Sequence, residues 1–331
     1  MRLDSTVGAM SLYSFFFSVL LPGLLALNYG LIKTRRPMKS EVLWAGFLAG
    51  LLVGICCLAV ETVIDHVLPL AQMAPLARSA ADATLVAAGP EEGLKFFALL
   101  LVIRRYVYPD DAAATILAAL GVALGFALME DSLYVISAFS ASAVGGSLVA
   151  LMRALTAVPE HVVFGLTMGA LIAVTRGGGH AELTKNSSEL MPALLVPLIM
   201  HAGYDFLLMA HEALLKAHES RAASEWTVQW VPIVMASSVI TAIVLCNHVL
   251  THAARFDKPV HDARSGPAWL GGFLLMVGLL MVWIMLEVPT LEYQHALAKC
   301  CVVPLMFGLD LLWTAFRRMN QPMPTIVALR Y

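Results

Sequence analysis

Charge is what this chain has least of. Only 13% of its 331 residues are Asp, Glu, Lys or Arg, and the formal net charge is -2. Bulk charge therefore points to neither nucleic acid nor an acidic partner, and no basic block is present that would bind a phosphate backbone. Cysteine is scarce as well. Cys56, Cys57, Cys246, Cys300 and Cys301 fall in apolar runs without C-x-x-C spacing, and they read as buried thiols rather than metal or redox ligands. The helical zinc-peptidase signature H-E-x-x-H is absent, and so is the inverted repeat that many transporters carry. No connection between apolar runs is longer than about 20 residues, which leaves no room for a soluble domain.

What is abundant is hydrocarbon: 60% of the residues are hydrophobic, the composition of an integral membrane protein. Crossing about 30 Å of hydrocarbon takes roughly 20 residues as a helix. Runs of that order lie at 10–32, 42–61, 82–103, 112–138, 148–175, 190–214, 228–251, 268–288 and 297–316. They predict an all-α polytopic bundle of about nine transmembrane helices, one integral-membrane domain over 1–331. The first run lacks a small-x-small exit and reads as a retained helix rather than a signal peptide. Basic residues set the orientation. Lys33, Arg35, Arg36, Lys39, Arg104, Arg105, Arg176, Lys185, Arg255, Lys258, Arg264, Arg317, Arg318 and Arg330 fall on one side, against Arg2, Arg78, Lys216, Arg221 and Lys299 on the other. The N-terminus is expected outside and the C-terminus in the cytoplasm.

Against this background a few ionisable residues stand where lipid-compatible ones belong. They are Glu91, Glu92 and Lys95, then Glu130 and Asp131, then Glu160 and His161, then His201 and Asp205. A charge at the centre of a membrane helix costs roughly 2.5–3.5 kcal/mol on insertion scales, so six carboxylates and a lysine imply a penalty on the order of 15–25 kcal/mol before pairing or hydration. Such groups mark a functional site by default. The four helices between residues 82 and 214 are expected to form its core, and residues 228–316 to add membrane helices of unknown role. Glu91 and Lys95, Glu130 and Tyr134, and His201 and Asp205 are i,i+4 pairs, so each pair shares a helix face. Glu130 sits several residues nearer the outer end of its helix than the other groups. At Gly89-Pro90 the helix either starts, leaving a short re-entrant element, or runs on with a proline kink.

Amide hydrolysis needs a water deprotonated at neutral pH and a stabiliser for the developing oxyanion; desolvated paired carboxylates and imidazoles supply both. Two histidines with carboxylates also suit zinc. Each group has a plainer reading beside this one. Glu92 and Lys95 could be a structural ion pair, and a single histidine a packing residue. Asp131 and Glu160 diverge by about 100° from their stronger neighbours, and their role stays open. Arg153 is either an interfacial anchor or a carboxylate partner. Asp310 fits a helix-helix hydrogen bond. Gly121-x-x-x-Gly125 and Gly165-x-x-x-Gly169 suit close backbone approach.

Taken in order, Glu91-Glu92-x-x-Lys95, Phe126-x-x-x-Glu130-x-x-x-Tyr134, Arg153 with His161, and His201-x-x-Tyr204-Asp205 resemble the PrsW family of intramembrane proteases. That family is similar in motif order to type II CAAX prenyl endopeptidases and bacteriocin-processing proteins. The resemblance spans about residues 85–210. It implies an intramembrane endopeptidase, of glutamate or metallo type, that acts on a membrane-anchored protein or peptide in a lipid bilayer, the inner membrane of a bacterium. Carried over, it makes Glu91 the general base, Glu92 a second essential carboxylate, and His161 and His201 the groups that hold water or the oxyanion. Lys95, Glu130, Tyr134 and Asp205 support them. Asp205 replaces an expected asparagine and is assigned to orient His201 or bind a cation. If the chemistry is metal-dependent, Glu91, Glu130, His161 and His201 are the expected ligands and zinc the candidate metal. Two other classes compete: a proton- or cation-coupled transporter, and a non-catalytic scaffold with a peptidase-like fold. Water is expected to enter from outside past Asp131, Tyr134 and Arg153, with Leu133 and Val158 facing it and Leu100 and Ile172 dry.

Overall fold

The computed structural model describes residues 21–34, 40–108, 111–177, 187–217, 221–253, 270–272, 274–279, 282 and 291–319. Among these residues there is no strand. The helices are α1 (Leu21–Thr34), α2 (Ser40–Val67), α3 (Pro75–Ala81), α4 (Gly89–Tyr106), α5 (Ala112–Ala141), α6 (Ala143–Leu155), α7 (Ala157–Gly177), α8 (Ser187–Lys216), α9 (Arg221–Val228), α10 (Val231–Ala253) and α11 (Leu291–Met319), with a 3-10 turn at Leu70–Gln72 and a π-helical turn at Asp82–Ala88. Among the described residues, six stretches are long and apolar enough to cross a membrane: Glu41–Val67, Ala112–Ala141, Val144–Arg176, Ser188–Lys216, Ser224–Leu250 and Cys300–Arg317. The start of the first expected run, most of the run at 268–288, and the basic residues at 35–39, 178–186, 254–269 and 320–331 lie outside the described residues.

α5 is the axis of the bundle because small residues line it on two sides. A Cβ on Gly125 would fall onto the carbonyl oxygen of Phe47, and one on Gly50 onto that of Val122; Gly46 and Gly121 face each other across the same seam. α2 thus lies backbone to backbone against α5, close approach that only glycine permits. On another side, Gly165 and Gly169 of α7 sit against Ala123 and Ala119. Asp111 caps α5, accepting from the Ala114 amide at 2.9 Å, which satisfies one of the helix's orphan donors. At the far end of α7 the buried Arg176 donates to Thr115 Oγ1 at 3.1 Å and to the carbonyl oxygens of Val107 and Tyr108, where α4 ends.

Two expected spans take a different form. The run at 82–103 does not start at Pro90. Helical backbone runs on from Pro75, and the π-helical turn absorbs the proline: the Gly89 amide donates to Thr84 five residues back. Pro90 has no amide to give and crowds the carbonyl four residues before it, a conflict that wider winding relieves. The run at 148–175 is not one helix. It breaks at Thr156 (φ -126°, ψ -65°), whose hydroxyl donates to Met152 at 2.8 Å, and it restarts as α7 two residues before Pro159, which is tolerated in a first turn.

A second polar knot lies apart from the charged helices. Asp310 of α11 accepts from Tyr29 of α1 at 2.9 Å and from Asn247 of α10 at 3.0 Å, the helix-helix hydrogen bond expected of it.

Candidate active site

The first turn of α4 follows the π-helical turn and carries Glu91 and Glu92 inward. They are neighbours in sequence, but Lys95 lies one turn on and reaches both, Nζ standing 3.2 Å from Glu91 Oε2 and 2.7 Å from Glu92 Oε1. The ammonium also lies over the Phe126 ring of α5 at 3.8 Å and within 3.3 Å of His161 Nδ1. All three charged groups are buried, Glu92 completely. Desolvating them is costly, and mutual pairing is what offsets that cost.

The break at Thr156 aims two further groups at α5. Arg153, in the last turn of α6, pairs with Glu130 at 2.8 Å and donates to Asp131, while its guanidinium stacks on Tyr134 at 4.0 Å. His161, in the second turn of α7, has Nε2 2.6 Å from the same Glu130 carboxylate. Arg153 is therefore a carboxylate partner, and Asp131, fully buried, is its second anchor. Glu130 lies beyond the middle of α5 toward Ala141, and there it meets His161 directly.

α8 completes the cluster. His201 has Nδ1 3.0 Å from Glu92 Oε1 and Nε2 3.2 Å from Asp205 Oδ2, so a carboxylate faces each side of the ring. The ring stacks on Phe164 at 4.9 Å and lies 5.7 Å from His161, centroid to centroid. Asp205 thus lies against His201.

These groups open onto one cavity of about 560 Å³. Glu91, Glu130, Tyr134, His161, His201 and Asp205 line it, with Glu92 and Lys95 behind. Leu133 also lines it. Val158 does not: it is buried at 2% exposure and turned aside from the Ala157, Glu160, His161 face, so the expected wet position there is wrong. Glu61 and Cys57 of α2 line the cavity too, although the sequence reading took residues 42–61 as plain span. The overlooked signal was Gly46-x-x-x-Gly50-x-x-x-Gly54, which seats α2 on α5; Glu61, seven residues beyond Gly54, continues that stripe.

Glu91, Glu92 and His161 can each offer one ligand atom to a group whose members lie within 4.8 Å of one another. Glu92 Oε2 is buried without a hydrogen-bond partner among the described residues. His161 also has a carboxylate on its far nitrogen, the arrangement that orients histidine ligands. By donor type this set suits a divalent cation such as zinc, but Lys95 Nζ now stands against all three residues and would have to move aside for one. The set differs from the expected Glu91, Glu130, His161 and His201: Glu130 sits on the opposite ring nitrogen, and His201 is engaged by Glu92 and Asp205.

A family model described as PrsW family intramembrane metalloprotease matches residues 39–243. Proteins named Protease PrsW are similar to this chain. That of Clostridioides difficile strain 630 is 32% identical over 125 residues, 38% of this chain and 50% of the relative. The one from Geobacillus kaustophilus is 28% identical over 202 residues, 61% of this chain and 82% of the relative. The Bacillus subtilis strain 168 protein is 32% identical over 120 residues, 36% and 50%. The chain thus spans about half the length of the first and third of these. No solved structure matches.

Proposed function

This chain belongs to the PrsW family of intramembrane metalloproteases, and from that premise we propose that it is an endopeptidase hydrolysing a peptide bond of a membrane-anchored protein or peptide. The observation that carries the reading is the convergence of Glu91, Glu130, His161, His201 and Asp205, from four helices, on one cavity inside a membrane bundle. In this reading Glu91 faces the cavity and is the base. It takes a proton from water as the oxygen attacks the scissile carbonyl carbon, and that proton passes to the departing amide nitrogen. Glu92 and Lys95 hold Glu91 from behind, and Lys95 offsets the carboxylate charge. His161 and His201 stand beside the attacked carbonyl, and each engages water or oxyanion by giving up one of its present partners. Tyr134 and Glu130 keep Arg153 in place. A divalent metal held by Glu91, Glu92 and His161 would supply Lewis-acid activation of the water.

Residues 82–214 are proposed as the catalytic core, within a bundle of about nine helices in a bacterial inner membrane, N-terminus outside. Bacterial relatives and the basic asymmetry of the loops support this.

The test is purified full-length chain in detergent with single-span reporter proteins, assayed with and without chelator and with metal content measured. Glu91→Gln and Glu92→Gln, which keep volume, are each expected to lose activity about 10²-fold or more. A folded Glu91→Gln protein that cleaves at the normal rate would sink the assignment of the base. Unchanged activity in a metal-free, chelated preparation would remove the metal.

A further inference from the structure

Of the acidic residues lining the cavity, Glu91 is held by Lys95, Glu130 by Arg153 and His161, and Asp205 by His201. Glu160 is different. It lines the same cavity and is only 2% exposed, yet neither of its carboxyl oxygens has a hydrogen-bond partner among the described residues. Buried polar atoms are nearly always paired, and a carboxyl left without a donor is costly. Arg153, which also lines the cavity, is ion-paired with Glu130 and Asp131 and stacked on Tyr134, and Lys95 stands behind the wall with Glu91 and Glu92. Glu61, on the α2 wall, adds a further carboxyl with no ion pair of its own among the described residues. Glu160 therefore offers two unspent carboxyl oxygens to the cavity, and a donor for them can arrive with what enters.

We propose that Glu160 is a specificity residue that receives a cationic nitrogen group of the substrate, the ammonium or guanidinium of a Lys or Arg side chain near the scissile bond, with Glu61 reinforcing the preference. This rests on the peptidase reading. A long basic side chain suits the position, because its methylenes cross the apolar part of the lining while only its head needs acceptors. Glu160 precedes His161, so the two diverge around α7, and a side chain on Glu160 leaves the Glu91 side of the cavity to the peptide bond.

The test offers the full chain in detergent a mixture of N-terminally acetylated hydrophobic peptides in which Lys, Arg, Gln or Leu is walked through the sequence, with products identified by mass spectrometry. The wild type is expected to favour a basic residue at one fixed position relative to the cut, by about tenfold or more. Glu160→Gln should flatten that preference, Glu160→Asp should retain its direction, and Glu61→Gln should weaken it. Cleavage indifferent to charge, or a preference that survives Glu160→Gln, overturns the proposal and leaves the peptidase reading standing. A preference seen only with free-amine peptides lacking Lys and Arg overturns the side-chain assignment in favour of the terminal amine. If the wild type cuts nothing, the peptidase reading fails, and binding decides the subsite by itself. A Lys peptide should then raise the melting temperature of the chain more than its Gln counterpart does, and Glu160→Gln should erase the difference; equal shifts in the wild type overturn the subsite.

Discussion

Arg153 carries more of the site than its distance from the glutamates suggests. It holds Glu130 and Asp131 together and lies on Tyr134, and Glu130 in turn orients His161. Removing the guanidinium leaves two carboxylates facing each other with little water. Arg153→Met should therefore cost about 3 kcal/mol or more of stability in denaturant titrations in mixed micelles, the scale of a buried pair broken on one side. Arg153→Lys should recover only part of this, because a point charge cannot fork between two carboxylates. The main cluster was legible in the sequence because a charge in hydrocarbon has few innocent explanations: Glu91, Glu92, Glu130, His161, His201 and Asp205 all converge. The roles of Asp131 and Arg153 were not legible, since their contact spans a helix break and two elements. Glu61 escaped because it stands at the end of an apolar run, where a carboxylate passes for an interfacial residue.

Among the elements, α2 and α5 approach backbone to backbone along their glycine seam, with side chains packing beside it. Gly125→Val should push them apart and destabilise the protein by about 1–3 kcal/mol, as overpacking does. Gly203→Ala is the control. An added Cβ there meets nothing within 4 Å, so the change should be neutral or stabilising by up to about 1 kcal/mol through helix propensity. Melting temperatures of the two variants in one detergent decide the matter, and a Gly125→Val protein as stable as wild type would contradict the seam. Helix positions were readable from apolar runs, since length and hydropathy are what a bilayer selects. The break at Thr156 was not: an apolar run has no visible interruption where a helix restarts, and Pro159 alone fits either a kink or a first turn. Gly89-Pro90 was ambiguous for a similar reason, and the π-helical turn that resolves it is a matter of hydrogen bonding, not composition.

At the scale of the whole molecule, the charged core from α4 to α8 is joined to α1, α10 and α11 through apolar packing, and the outer helices are tied to one another by Tyr29, Asn247 and Asp310. Asp310→Leu removes the acceptor for both donors and should lower the melting temperature while sparing the geometry around Glu91, so that any cleavage activity declines only as the protein unfolds. Orientation is tested separately: reporter fusions after Arg36 and after Arg318 should both read cytoplasmic, and an external reading at either would overturn the N-outside topology. The turn at Asp82–Ala88 bears on how such a molecule tolerates changes in length. Its seven residues are wound more loosely than the helix on either side, so the segment acts as a slip joint. Loss of one residue there would tighten the joint toward α-helical winding and leave Pro75–Ala81 close to its present phase around the axis. Glu91, Glu92 and Lys95, which lie beyond the joint, would keep their phase with one another.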